Sequence, residues 1–150
     1  MQHRYRSHQS KFDFLGFKFH LRAFKDNPKR FWIARQPSEK ARAKFNSTLK
    51  EKLKPNLSHD EAADAAYSLW TGWSEYFRYS NANRVFYRQI KSVKRLVRYY
   101  LRRKYRQQRR PVPWKRLKPI ANYILANIKP LRVISDLVRL RNQQLSLAVT

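Results

Sequence analysis

Residues 84–107 read RVFYRQIKSVKRLVRYYLRRKYRQ, and two interleaved stripes run through them. The apolar positions Phe86, Ile90, Val93, Val97 and Tyr100 step by four and three, and the basic positions Arg84, Arg88, Lys91, Arg95, Arg98 and Arg102 step in the same way two residues earlier. Such steps return to one face of an α-helix. A two-residue offset is about 200° of rotation, so the stripes face nearly opposite ways. The spacing predicts a helix with one face in a core and the other turned outward, cationic. Arg103, Lys104, Arg106, Arg109 and Arg110 thicken its positive end, where cations also suit the C-terminal dipole.

Helical spacing continues on both sides. Upstream, Pro37 and Ser38 open a run in which Ala41, Phe45, Thr48, Leu49 and Leu53 recur until Pro55. Ser58 and Glu61 then stand in capping-box spacing, ahead of a second stripe of Ala62, Ala66, Trp70, Trp73 and Phe77. Gly72 inside that helix costs about 1 kcal/mol relative to Ala, and it is read as admitting another backbone at close range. Residues 79–83 break the pattern and offer Ser80, Asn81 or Asn83 as the next N-cap. Downstream, Pro111 and Pro113 stop the third helix. Trp114, Leu117, Ile120, Ala121, Ile124, Leu125 and Ile128 predict a fourth ending before Pro130, and Ile134, Leu137, Val138, Arg141 and Leu145 a fifth over about residues 131–147.

The N-terminal part has a different period. In FDFLGFKFHLR, residues 12–22, Phe17, Phe19 and Leu21 alternate with Lys18, His20 and Arg22. Phe12 and Phe14 are out of phase with them, so a bulge at Leu15 and Gly16 is expected within one strand. Asp26, Asn27 and Pro28 supply turn chemistry before a returning strand, Phe31 to Ala34. The expected fold is mainly α: an N-terminal β-hairpin (1–36), a three-helix bundle (37–110) and two C-terminal helices (111–150). A two-stranded hairpin is marginal alone. It should pack on the helices or on a larger sheet.

Charge decides the class of partner. The 150 residues carry a formal charge of +26, and residues 76–135 contain no acid but eighteen of the thirty-five Lys and Arg. Repulsion on that scale needs a counter-charge, which phosphate backbones supply. Twenty-two aromatic residues interleaved with the charges set the chain apart from a disordered polycation. Without Cys, disulfides and Cys-based zinc sites are excluded. No apolar run approaches the ~18 residues of a membrane span, and the first residues lack the apolar core of a signal peptide. A cytoplasmic protein without a membrane partner is expected.

Catalytic constellations are missing. His3, His8, His20 and His59 never fall four apart on a predicted helix, so no metal site is expected. Two glycines cannot make a phosphate-cradling loop. Asp60, Glu61 and Asp64 open a helix, where carboxylates ordinarily complement the dipole. Of Tyr79, Tyr87, Tyr99, Tyr100 and Tyr105, helical spacing sends most to the core and leaves Tyr79 and Tyr105 as candidates for stacking on bases.

The order of these features resembles a known family. FLGF at residues 14–17, PSEKARAKF at 37–45 and GWSEYFRYSNANRVFYRQIKSVKRLVRYYLRRKYR at 72–106 resemble the C-terminal part of group II intron reverse transcriptase/maturases, over roughly residues 12–107. FLGF looks like the last reverse-transcriptase strand motif, at the palm–thumb junction. The GW and Phe77 motif with its basic helix is similar to the thumb, also called the maturase-specific domain or domain X. The resemblance implies a thumb-like helical bundle that grips structured intron RNA, and an RNA/DNA primer–template duplex, to support splicing and reverse transcription. Gly16, Gly72, Trp73, Tyr76 and Phe77 would be its scaffold. Arg84, Arg88, Lys91 and Arg95 would be its RNA contacts, to which the charge pattern adds Arg98, Arg102, Arg103 and Lys104, and the stacking argument Tyr79 and Tyr105.

The family's polymerase chemistry needs the paired Asp of a YADD-type motif to hold magnesium, and no such pair occurs in this sequence. The chain is therefore not expected to polymerise alone. No cofactor is expected in it, and Mg2+ only with a complete palm, which a palm/fingers fragment could supply in trans. The alternative is a structural ribonucleoprotein component, a ribosomal-type RNA binder.

Overall fold

Three strands and four helices make up the computed structural model, which describes residues 11–80, 83–106 and 111–130. In chain order they are β1 (Lys11–Phe14), β2 (Phe17–Ala23), β3 (Phe31–Pro37), α1 (Glu39–Lys52), α2 (His59–Tyr76), α3 (Asn83–Lys104) and α4 (Trp114–Ile124). The predicted fifth helix, over residues 131–147, lies outside the described residues.

The sheet corrects the reading of the N-terminus. Its order is β1-β2-β3, with both pairings antiparallel. Instead of a bulge within one strand, the chain reverses at Leu15 and Gly16, whose φ angles are 47° and 79°. Two consecutive residues at positive φ make the tight turn that best matches strand twist. Reversal also solves the phase problem. Phe12 pairs with Phe19 and Phe14 with Phe17, and directly opposed residues share a face. A bulge and a two-residue turn serve the periodicity equally, so alternation alone could not choose between them. Leu21 pairs with Ile33, and Ala23 with Phe31, on the same face. Phe12, Phe14, Leu21, Phe31 and Ile33 are nonetheless exposed.

At its Phe17 end the sheet is joined to the helices. The Phe17 ring meets Phe77 edge-on at 4.7 Å, and the Ser38 amide donates to the Gly16 carbonyl at 2.8 Å. Ser38 also starts α1, its hydroxyl accepting from the Ala41 amide. The predicted capping box opens α2: Ser58 Oγ accepts from the Glu61 amide at 3.1 Å, and Glu61 Oε2 accepts from the Ser58 amide at 2.7 Å. The third helix begins at Asn83, so that residue lies within the helix, and Asn81 lies outside the described residues.

The predicted stripes converge on one core. Phe45, Leu49 and Leu53, Ala62, Ala66 and Trp70, and the α3 row Phe86, Ile90, Val93, Val97 and Tyr100 are all buried. Leu117, Ala121, Ile124 and Ile128 join the same cluster, so α4 packs on the bundle. Phe45, Trp70, Trp73, Phe77 and Phe86 interlock with ring centroids 4.9–6.3 Å apart, within the range favourable to aromatic pairs. Two buried polar tips find carbonyls, Tyr100 Oη donating to that of Leu57 at 2.9 Å and Trp70 Nε1 to that of Lys129 at 3.0 Å, while Trp73 Nε1 and Ser80 Oγ are buried without a partner among the described residues. Gly72 admits no close backbone. A Cβ there would meet nothing within 4 Å, because the residue opens a groove between α1 and α2. No helix among the described residues is long and apolar enough to cross a membrane.

Candidate nucleic-acid interface

Packing of α3 against both α1 and α4 buries one side of it and leaves the basic stripe outside. Arg84, Arg88, Lys91, Arg95, Arg98, Arg102 and Arg103 are all on that outer side. Among the described residues, no carboxylate pairs with any of them. Like charges three and four apart on a helix repel by a few tenths of a kcal/mol per pair. Such a row is relieved by an external polyanion.

Along one flank of this stripe runs a groove. Arg42, Asn46 and Lys50 recur every four residues on α1 and so share the side that faces α3. Opposite them stand Arg88, Arg95 and Tyr99. The main hollow encloses about 690 Å3. A second of about 400 Å3 continues it past Asn46, Ser92 and Arg95. Part of the wall is held by a partly buried bond, Gln89 Nε2 donating to Asn46 Oδ1 at 2.8 Å. At one end Glu39 lines the groove, its carboxylate paired with Lys18 Nζ at 3.1 Å; that hydrogen bond, more than the other nearby cations, holds its carboxyl below the usual range. At the other end the Tyr99 ring lies 5.7 Å from Lys50 Nζ and 5.6 Å from the Arg103 guanidinium.

The group II intron maturase-specific domain matches residues 42–118, just over half of the chain. The chain belongs to that family. No curated protein and no solved structure matches it. The matched span of this maturase-specific domain begins in α1 and ends in α4, so it holds both walls of the groove and the whole of α3. FLGF at residues 14–17 lies before it.

Within the maturase-specific domain the predicted contacts do not all stand alike. Arg84, Arg88, Lys91, Arg95 and Arg102 are open to solvent with no side-chain partner among the described residues, apart from the 3.3 Å bond of Arg95 to Ser92 Oγ. Arg98 is stacked over the Trp114 indole at 4.3 Å, a cation–π contact that ties α3 to α4. Lys104 turns inward and donates to the carbonyls of Pro55 and Leu57. Tyr105 is half-buried against the core, with its hydroxyl 3.0 Å from His59 Nε2. Tyr79 is exposed, beside the Arg78 guanidinium at 5.7 Å. Of the scaffold residues, Gly16, Tyr76 and Phe77 meet at the joint between sheet and bundle, and Trp73 sits in the aromatic cluster.

Helical spacing assigns Tyr87 and Tyr99 to the core, and the structure exposes both; only Tyr100 of that set is buried. Each is displaced by one residue from the apolar row, about 100° around the helix, enough to bring it to the rim. Arg42 and Lys50 also escape a reading of the sequence alone. Their four-residue spacing with Asn46 is visible there, but which neighbour that row faces is a property of the packed bundle.

Proposed function

We propose that this maturase-specific domain is an RNA-binding module, gripping group II intron RNA through the outward stripe of α3 and so supporting splicing and reverse transcription. One observation carries the reading: Arg84, Arg88, Lys91, Arg95 and Arg102 are exposed along one side of α3 with no carboxylate partner among the described residues. Phosphate contacts of this kind position RNA without reading sequence. Shape and exposed bases supply the choice of RNA. The test replaces Arg88, Lys91 and Arg95 together by Gln and measures affinity for a folded group II intron RNA across salt concentrations. Affinity should fall, and the slope of log K against log salt should become shallower by about 0.7–0.9 for each phosphate no longer neutralised. Unchanged binding would assign the RNA to another face, and equal binding to ribosomal RNA would favour the structural ribonucleoprotein reading.

A second reading rests on the uncovered apolar face of the sheet. FLGF, with the exposed Phe12, Phe14, Phe31 and Ile33 around it, is suited to completing a palm supplied by another chain, whose paired aspartates would hold magnesium. Mixing with a palm/fingers fragment should then yield primer extension that neither component gives alone. No extension from the mixture removes this reading.

A further inference from the structure

We infer that an RNA strand lies with its sugar–phosphate backbone in the groove between α1 and α3, held by Arg42 and Lys50 of α1 against Arg88 and Arg95 of α3. This deepens the reading of α3 as an RNA-binding face and rests on it. Three features of the groove select this occupant. First, its cations come from both walls, and its single acid, Glu39, is already neutralised by Lys18. Second, the Arg42 side chain makes no hydrogen bond or ion pair among the described residues, and its Nε is buried without an acceptor. A buried N–H left without an acceptor costs free energy, and a phosphate oxygen reaching into the groove would supply one. Third, Lys50 and Arg103 flank the Tyr99 ring, the one aromatic ring lining the groove among the described residues. That ring is already engaged in cation–π contacts and the rest of the lining offers no aromatic surface, so the groove favours backbone over base.

Size and length agree with this occupant. The main hollow lies within the roughly 300–1,000 Å3 of ligand sites, and the eight-residue interval from Arg42 to Lys50 spans about 12 Å along α1. Sequence-independent recognition follows, because phosphates are the same along every strand.

The test uses the full chain and a labelled oligouridylate, whose bases stack weakly, with an RNA hairpin as second probe. Arg42→Gln with Lys50→Gln should weaken oligouridylate binding by roughly tenfold or more, the expectation when charge-assisted bonds to phosphate are removed. The salt slope on this single strand should become shallower by about 0.7 for each phosphate released from the groove. Lys44→Gln with Lys52→Gln removes the same charge from the α1 side that lines the α1–α2 groove, and should change binding little. Glu39→Gln should tighten it. If the Arg42/Lys50 variant binds like the parent while the α3 triple variant is weakened, the groove is wrong and the α3 reading stands. Undiminished affinity in both variants overturns both. An equal effect from the Lys44/Lys52 pair shows net charge alone and overturns the groove. Weakening confined to the hairpin probe overturns the single-strand backbone as occupant.

Discussion

The Tyr76 hydroxyl donates to the main-chain carbonyl of Leu15 at 2.8 Å, joining positions sixty-one residues apart. Leu15 is the non-glycine residue at positive φ in the β1–β2 turn. Beside this bond, Phe77 packs on Phe17, and a Cβ on Gly16 would lie 3.4 Å from the Phe77 ring. The end of α2 thus grips the turn from two directions, and the sheet takes its orientation from the bundle through this joint.

Tyr76→Phe removes the donor and leaves the ring. Because Tyr76 is half exposed, water can replace the missing bond, and the expected cost is about 0.5–1 kcal/mol. Hydrogen exchange should quicken in β1 and β2 while α3 remains protected. Gly16→Ala should cost more, about 1–2 kcal/mol, since an L side chain at φ 79° is strained even before it approaches Phe77. A Gly16→Ala chain as stable as the parent in a denaturant titration would contradict the observed turn.

Gly72→Ala should act in the opposite direction. The site is inside α2 and a methyl group there meets nothing within 4 Å, so the intrinsic helix preference is free to operate. A gain approaching 1 kcal/mol in thermal or urea unfolding is expected, with RNA affinity unchanged. Destabilisation would mean that something occupies the α1–α2 groove in solution.

Trp70 and Trp73 look equivalent in the sequence and are not so in the fold. Trp70 is 2% exposed and its indole N–H holds the Lys129 carbonyl, whereas Trp73 is only partly buried. Trp70→Ala should cost about 3–5 kcal/mol, and it should release the end of the α4 segment. Trp73→Ala should cost less. Equal losses in paired unfolding experiments would contradict this ranking.

What could be read beforehand follows from the range of the interactions involved. The rows Phe45–Leu49, Ala62–Ala66–Trp70 and Phe86–Ile90–Val93–Val97 obey the helix period because burial demands it, and Ser58–Glu61 is an interaction within four consecutive residues; each is local information. The turn at Leu15 was hidden because a leucine is an unusual residue at positive φ, and because a bulge satisfies the alternation equally. The candidate site divides in the same way. The α3 stripe lies within one helix and was legible. The opposing Arg42 and Lys50, the inward bonds of Lys104 and the seating of Arg98 on Trp114 depend on how helices meet, which no single stripe records.

His20 gives the fold a pH response. The ring is buried, its Nε2 accepts from Arg22 Nε at 2.7 Å, and its Nδ1 has no partner among the described residues. Burial first, and then the charges of Arg22, Lys11 and Lys18, hold its pKa below the ordinary histidine value of 6.5. In the window between that lowered value and 6.5 the unfolded chain binds a proton that the folded chain refuses, so stability rises with pH there and is lost as pH falls. Thermal unfolding should therefore show the sheet weakening as the medium is acidified below about pH 6.5. His20→Gln keeps an acceptor for Arg22 and removes the titrating group. Its unfolding midpoint should vary less over the same range; an undiminished dependence would place the response on another residue.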